Sequence, residues 1–184
     1  MAKEFEFIDE RIEKWISKQR IFFVSTAPLS EKGLVNCSPK GMDSFRVLSP
    51  KQVAYLDYTG SGVETLAHIR ENKRIVIMMC AFEGPPKIFR FHGYAVAHEI
   101  GSPEFTELSS HFGDLTGARS VIVVDLIRIG DSCGYSVPLY EYKGDRDGLM
   151  KWAAKKGAGG IKDYHAEKNR QSLDGMPGMK NVEN

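Results

Sequence analysis

The chain is 184 residues long, with 25 Lys and Arg against 24 Asp and Glu, a formal net charge of +1, 42% hydrophobic residues and 27% charged ones. These proportions exclude a disordered chain, a collagen-like repeat and a disulfide scaffold, and the length suits one domain with a core of its own. A charge this close to zero supplies no bulk field for nucleic acid or an anionic membrane, so neither is expected as a partner and any bound anion must be held locally.

In chain order, Ile8, Ile12, Trp15 and Ile16 recur at helical spacing behind Asp9, a helix-start residue, and Glu10 and Lys14 stand at i,i+4. A β-branched and aromatic strand is predicted over 21–26, ending at Pro28 and the polar turn Ser30-Glu31-Lys32-Gly33. A second strand starts at Leu34 and is expected to be cut by Pro39 and Gly41. Residues 45–48 and 53–56, joined across Ser49-Pro50-Lys51-Gln52, read as a hairpin. The turn Thr59-Gly60-Ser61-Gly62 opens a helix with Val63, Leu66, Ala67 and Arg70 on one face, closed by Glu71-Asn72. Residues 74–82 form a near-continuous apolar strand, for which burial on both faces is expected. After Gly84-Pro85-Pro86 comes a strand over 87–97, with Arg90 and His92 opposite Phe89 and Phe91. Ser102-Pro103 starts a short helix to about Phe112. The strand over 121–129 holds Asp125 and Arg128 at opposite parity, which predicts a bulge or two covered faces. Beyond Pro138, helices are expected over 145–156 and 162–172, separated by Gly157-Ala158-Gly159-Gly160, before the turn-rich stretch 174–178. The pattern predicts a mainly β, α+β fold: an antiparallel β-barrel of about six strands over residues 20–130, with peripheral helices and a helical C-terminal extension over about 140–184.

Three cysteines, Cys37, Cys80 and Cys133, are odd in number, widely spaced and without a C-x-x-C. They read as reduced thiols. The five histidines are scattered, and although His92 and His98 share a strand face, no metal site is expected. The N-terminus is acidic and has no apolar leader, and the longest apolar run, 75–82, falls well short of the roughly 18 residues a membrane span needs. A cytoplasmic protein is expected.

Two segments could carry chemistry. In Thr59-Gly60-Ser61-Gly62 the glycines admit close backbone approach, the hydroxyls of Thr59 and Ser61 could donate to phosphate oxygens, and the helix start offers free N–H groups. The same residues, as Ser61-x-x-Glu64, also fit a capping box that would serve only the helix. A phosphate here would need an added cation such as Lys40 or Arg90. The second segment, Asn36-Cys37-Ser38-Pro39-Lys40-Gly41, is either a hydroxyl and cation at a sharp turn or an ordinary strand-ending turn with a solvated lysine.

The stretch from Tyr55 to Asn72, with its strand, Thr-Gly-Ser-Gly turn and helix ending in Glu-Asn before an apolar strand, resembles the flavin-binding segment of the pyridoxamine 5′-phosphate oxidase-like family. Val35-Asn36-Cys37-Ser38-Pro39-Lys40-Gly41 and the hairpin from Gly84 to Gly93 resemble its neighbouring motifs in the same order, and the match runs from about residue 12 to 129. The resemblance implies an FMN-binding split β-barrel, homodimeric, with the flavin at the subunit interface and a small-molecule substrate. Carried over by position, Thr59, Ser61, Gly62 and Thr65 lie near the FMN phosphate with Lys40 as a cationic partner, Ser38 and Tyr58 lie along the flavin, and Lys87 and Arg90 lie near the ring or ribityl chain. Glu64 and Thr65 stand where the true oxidases carry an Arg-Lys pair, and the basic aromatic C-terminal segment of those enzymes is replaced by Ser172-Leu173-Asp174-Gly175-Met176-Pro177-Gly178. An FMN-dependent oxidoreductase other than a pyridoxamine 5′-phosphate oxidase is therefore expected. A non-catalytic flavin or haem binder and a reductase using the deazaflavin F420 are the alternatives. No catalytic side chain is assigned, since in flavin chemistry the cofactor carries the reaction.

Overall fold

A computed structural model describes residues 3–182; the final two residues of the C-terminal extension lie outside it. The elements in order are β1 (Glu4–Phe5), α1 (Glu10–Ile16), β2 (Ile21–Thr26), β3 (Asn36–Gly41), β4 (Phe45–Ser49), β5 (Gln52–Tyr58), α2 (Glu64–Asn72), β6 (Arg74–Cys80), β7 (Ile88–Glu99), α3 (Pro103–Ser109), β8 (Ala118–Ser132) and α4 (Gly148–Lys168). All pairings between the strands are antiparallel, in the order β3-β2-β6-β7-β8-β5-β4, with β1 against β8. The sheet curls into a half-barrel with helices around it, as the hydrophobic pattern predicts, with eight strands rather than about six.

Local chemistry accounts for most boundaries. Asp9 caps α1 by accepting from the Ile12 N–H at 2.9 Å, and Ser102 caps α3 by accepting from the Phe105 N–H at 3.1 Å. Lys73 ends α2 in the left-handed conformation and returns its N–H to the Ile69 carbonyl. The interior of β2 alternates, with Phe22, Val24 and Thr26 buried. Two expectations change here. Pro39 does not end β3 but lies within it opposite Phe23, because β3 pairs only with β2 and an edge strand can dispense with one N–H. Buried on both faces is β5 rather than β6: Val53 and Tyr55 join the main core, and Ala54 and Leu56 join a second cluster with Phe105, Phe112 and Val121. Along β6 one face is buried and the other half-covered.

The anomaly at Asp125 and Arg128 is a bulge. His92 pairs with Arg128 and Gly93 with Leu126, leaving Ile127 unpaired and exposed. A Cβ at Gly93 would run into the Asp125 carbonyl oxygen and the Val124 side chain, so the backbones approach there as only glycine permits. The two C-terminal helical stretches join into α4 with a break in helical geometry at Gly157, whose φ is +65°.

Candidate functional site

The curl of the sheet brings β3, one edge of its strand order, against β5. Asp57 on β5 is fully buried, and its carboxylate accepts from Lys40 Nζ of β3 at 2.8 Å and from Arg119 Nε of β8 at 2.7 Å. Burial pushes the Asp57 carboxyl up, but Arg119 and Lys40 outweigh it and bring its pKa down to about 2. Lys40 is thus a structural cation at a seam and not the solvated lysine of a strand-ending turn. Arg119, itself 3% exposed, also donates to the Gly62 carbonyl at 2.8 Å, so the same buried charge cluster anchors the glycine turn.

The Ser61–Glu64 capping box does not form. The helix α2 starts two residues later than that box requires, Val63 occupies its N-cap, and no side chain caps it. Ser61 is exposed, and the Glu64 carboxylate instead accepts from the Leu173 N–H at 3.2 Å. The first-turn N–H groups of α2 are therefore left to other partners. Next to them lies a polar file. Asn36 Nδ2 donates to Thr65 Oγ1 at 3.0 Å and to Thr26 Oγ1 at 3.2 Å, and Ser38 Oγ donates to Asn36 Oδ1 at 2.8 Å. Thr26 Oγ1 is hydrogen-bonded to His68 Nδ1 at 2.9 Å. Because strand side chains alternate, Asn36, Ser38 and Lys40 share one face of β3, while Cys37 and Pro39 are exposed on the other. One strand face thus presents an amide, a hydroxyl and an ammonium in file, from the start of α2 to the Asp57 seam.

The C-terminal segment covers the glycine turn. His165 Nε2 is hydrogen-bonded to Thr59 Oγ1 at 2.7 Å, and Asn169 Nδ2 donates to the Gly60 carbonyl at 2.9 Å. The Leu34 N–H donates to Asp174 Oδ2 at 2.9 Å. A Cβ at Gly178 would meet the Asn169 carbonyl and the Val63 side chain, so this segment packs against the residue that precedes α2. Burial lowers the His165 pKa to about 4, with the Arg119 charge adding to the effect and Asp57 opposing it, so the imidazole is neutral at pH 7. Thr59 is buried with its hydroxyl engaged, while Ser61 beside it is open.

The remaining predicted residues divide. Lys40 and Lys87 both line one cavity of about 1360 Å³ between the end of α1, the end of β3, the β6–β7 turn and residues 140–149. Lys87 Nζ is 2.7 Å from Asp131 Oδ2. Arg90 does not line this cavity and donates to Ser132 Oγ at 3.0 Å, and Tyr58, which follows Asp57 at the end of β5, does not line it either, its hydroxyl donating to the Asp114 carbonyl at 3.5 Å. Met42, at the cavity lip, has a φ of +63°, a conformation non-glycine residues rarely hold.

Sequence reasoning gave no role to Asn36, although it heads the second candidate segment, and missed Asp57, Arg119, His165 and Asn169 as site residues. A signal existed for two of them: Asp57 is a charge in the apolar run of β5 and Arg119 stands just before the apolar run 121–124 of β8, and a charge there calls for a buried partner. Nothing in the sequence could pair His165 with Thr59, 106 positions away. Among the described residues no cluster of His, Cys, Asp and Glu could hold a metal ion, and no helix is long and apolar enough to cross a membrane.

The family model described as "Pyridoxamine 5'-phosphate oxidase" matches residues 8–133. The chain is 37% identical to the Pyridoxamine 5'-phosphate oxidase family protein ustO of Aspergillus flavus over 192 aligned residues, covering 95% of this chain and 77% of that one. Among solved structures it resembles a variant of Group A Streptococcus HupZ, with a TM-score of 0.52 and 24% identity over 68% of this chain and 99% of that one. It also resembles a Lactobacillus delbrueckii protein named for the same oxidase, with a TM-score of 0.53 and 17% identity over 69% of this chain and 98% of that one.

Proposed function

We propose that this chain, which belongs to the pyridoxamine 5′-phosphate oxidase family, binds FMN and works as an FMN-dependent oxidoreductase on a small-molecule substrate, as a homodimer with the flavin at the subunit interface. The observation that carries this reading is the file of Asn36, Ser38 and Lys40 along β3, running from the uncapped start of α2. FMN is itself linear, with a phosphate, a polyhydroxyl chain and a ring. A helix start without a side-chain cap suits its phosphate, and the hydroxyls of Ser38, Thr65 and Ser61 suit the phosphate and chain oxygens, with both amide protons of Asn36 spent on holding Thr26 and Thr65 in the file. Lys40 supplies positive charge in the same file. Glu64, the one anion of the first turn, has its carboxylate engaged by the Leu173 N–H.

Bound FMN would supply hydride acceptance at its ring. The protein's share is to bind and orient. Asp57 and Arg119 hold Lys40 and the glycine turn in place, and the C-terminal segment shields the Thr59 side of the turn from water. The three free thiols fit a reducing compartment such as the cytoplasm. The haem alternative asks for an imidazole facing a cavity; among the described residues no histidine lines the large one, while His98 lines a smaller cavity of about 350 Å³ at the end of β7.

The test is a titration of the purified protein with FMN, followed by quenching of flavin fluorescence, alongside parallel titrations with haem and F420. Saturation at one FMN per subunit at micromolar concentration, and anaerobic bleaching of the bound flavin by NAD(P)H or an amine donor, are expected. Absence of FMN binding rejects the reading, and a bound flavin inert to every donor makes the protein a flavin store. Elution as a single subunit on size exclusion rejects the dimer.

A further inference from the structure

The C-terminal extension does more than cover the glycine turn. Its first part, residues 140–149, returns from the barrel to form one wall of the large cavity. It is tied down at two points on the β6–β7 turn: the Tyr140 N–H donates to the Phe82 carbonyl at 3.0 Å, and the Tyr142 N–H donates to Glu83 Oε1 at 3.2 Å. The Phe82 and Tyr140 rings lie 5.5 Å apart, and the Arg20 guanidinium sits 5.2 Å above the Tyr142 ring. This is a built wall with aromatic faces.

The charge of the lining is uneven. Six cations line the cavity: Lys18, Arg20, Lys40, Lys87, Lys143 and Arg146. The acids are three: Glu141 pairs with Lys143, while Glu83 and Asp145 are held by the Tyr142 N–H and the Tyr142 side chain, neutral donors that leave their charge in place. Lys87 is paired with Asp131, and Lys40 shares the one Asp57 carboxylate with Arg119, so that cluster keeps one net positive charge. Lys18, Arg20 and Arg146 have no ion-pair partner among the described residues. Among the described residues only Glu83 and Asp145 stand against them, so the lining keeps a positive excess, and a concave surface with such an excess attracts anions locally although the whole-chain charge is only +1. At about 1360 Å³ the cavity also exceeds the ~300–1,000 Å³ of a pocket for one small ligand, which leaves room for a second molecule beside a cofactor at Lys40.

We propose that this cavity takes an organic acid bearing an aromatic ring, with its anionic group at Arg20 and Arg146 and its ring against Trp15 and Tyr142, and that residues 140–149 are the wall that selects it. The proposal deepens the flavin reading, on which its role as the substrate chamber rests, because the chamber adjoins Lys40. Arginine suits the task through its planar, permanently charged donor fork, and tyrosine and tryptophan offer ring faces at small entropic cost.

Calorimetric titration of the full chain, as purified and again after saturation with FMN, tests it with three probes: 2-naphthoate, neutral 2-naphthalenemethanol and 2-naphthylmethylammonium. Naphthoate is expected to bind at least tenfold more tightly than the alcohol, and the ammonium not to bind. The double variant Arg20→Gln, Arg146→Gln should lose that preference, and Arg146→Gln alone, an exposed change with no ion pair to break, should lose part of it. FMN affinity should stay unchanged in both. Equal binding of acid and alcohol, no binding of the acid, or a preference that survives the double variant overturns the proposal. Loss of FMN binding with the naphthoate preference intact would reject the flavin reading alone.

Discussion

Lys40 Nζ and Asp57 Oδ1 lie 2.8 Å apart although β3 and β5 are not neighbours in the sheet. The pair joins the two sides of the half-barrel's opening, and the other carboxylate oxygen, Asp57 Oδ2, accepts from the buried Arg119 Nε. The cation assigned to the cofactor and the residue that holds the glycine turn are therefore linked through one carboxylate.

Asp57→Asn should destabilise the fold by about 3–5 kcal/mol, because it leaves Arg119 buried without its counter-charge. Urea denaturation measures this. Acid should mimic it. The folded pKa of Asp57, about 2, lies below its unpaired value of 3.8, so the stability it contributes is complete above pH 3.8 and lost as the pH falls towards 2. A stability profile as steep in Asp57→Asn as in the parent over that window would contradict the assignment.

His165 titrates in a higher window with the same sign. Its folded pKa of about 4 lies below the ordinary 6.5, so between these values the unfolded state binds more protons, and stability must fall as the pH drops from 6.5 to 4. Amide exchange at residues 165–169 should quicken first, as the Thr59 contact is lost. His165→Phe should flatten the stability profile between pH 6.5 and 4.

Ser61→Ala should leave the melting temperature nearly unchanged, with any effect within about 0.5 kcal/mol, since Ser61 is exposed and does not cap α2. The FMN dissociation constant should nonetheless rise severalfold. A clear loss of stability would restore the capping role, and unchanged FMN affinity would remove Ser61 from the site.

Gly93→Ala should cost about 1–3 kcal/mol in thermal or urea melts, because its Cβ meets backbone at the β7–β8 bulge where neither strand can give way. Gly60→Ala, where a Cβ meets nothing, should cost little and serves as the control.

Much of the fold was legible in the residues themselves, because helix caps and strand alternation act over a few positions. Asp9 and Ser102 announced their helices, the hairpin of β4 and β5 was visible around Ser49-Pro50-Lys51-Gln52, and the parity of Asp125 and Arg128 disclosed a bulge without saying which residue bulges. The order of motifs also pointed to the family. What only the tertiary structure decided is who meets whom across long separations. It showed that Pro39 sits on an edge and is tolerated, that Ser61 leaves the cap to Val63, and that Lys40 finds Asp57. It also brought His165 and Asn169, over a hundred positions downstream, onto the turn they cover. Caps and alternation depend on near neighbours, whereas the partner of a buried charge is set by how the sheet curls, and curl is a property of the whole sheet that no local stretch of sequence contains.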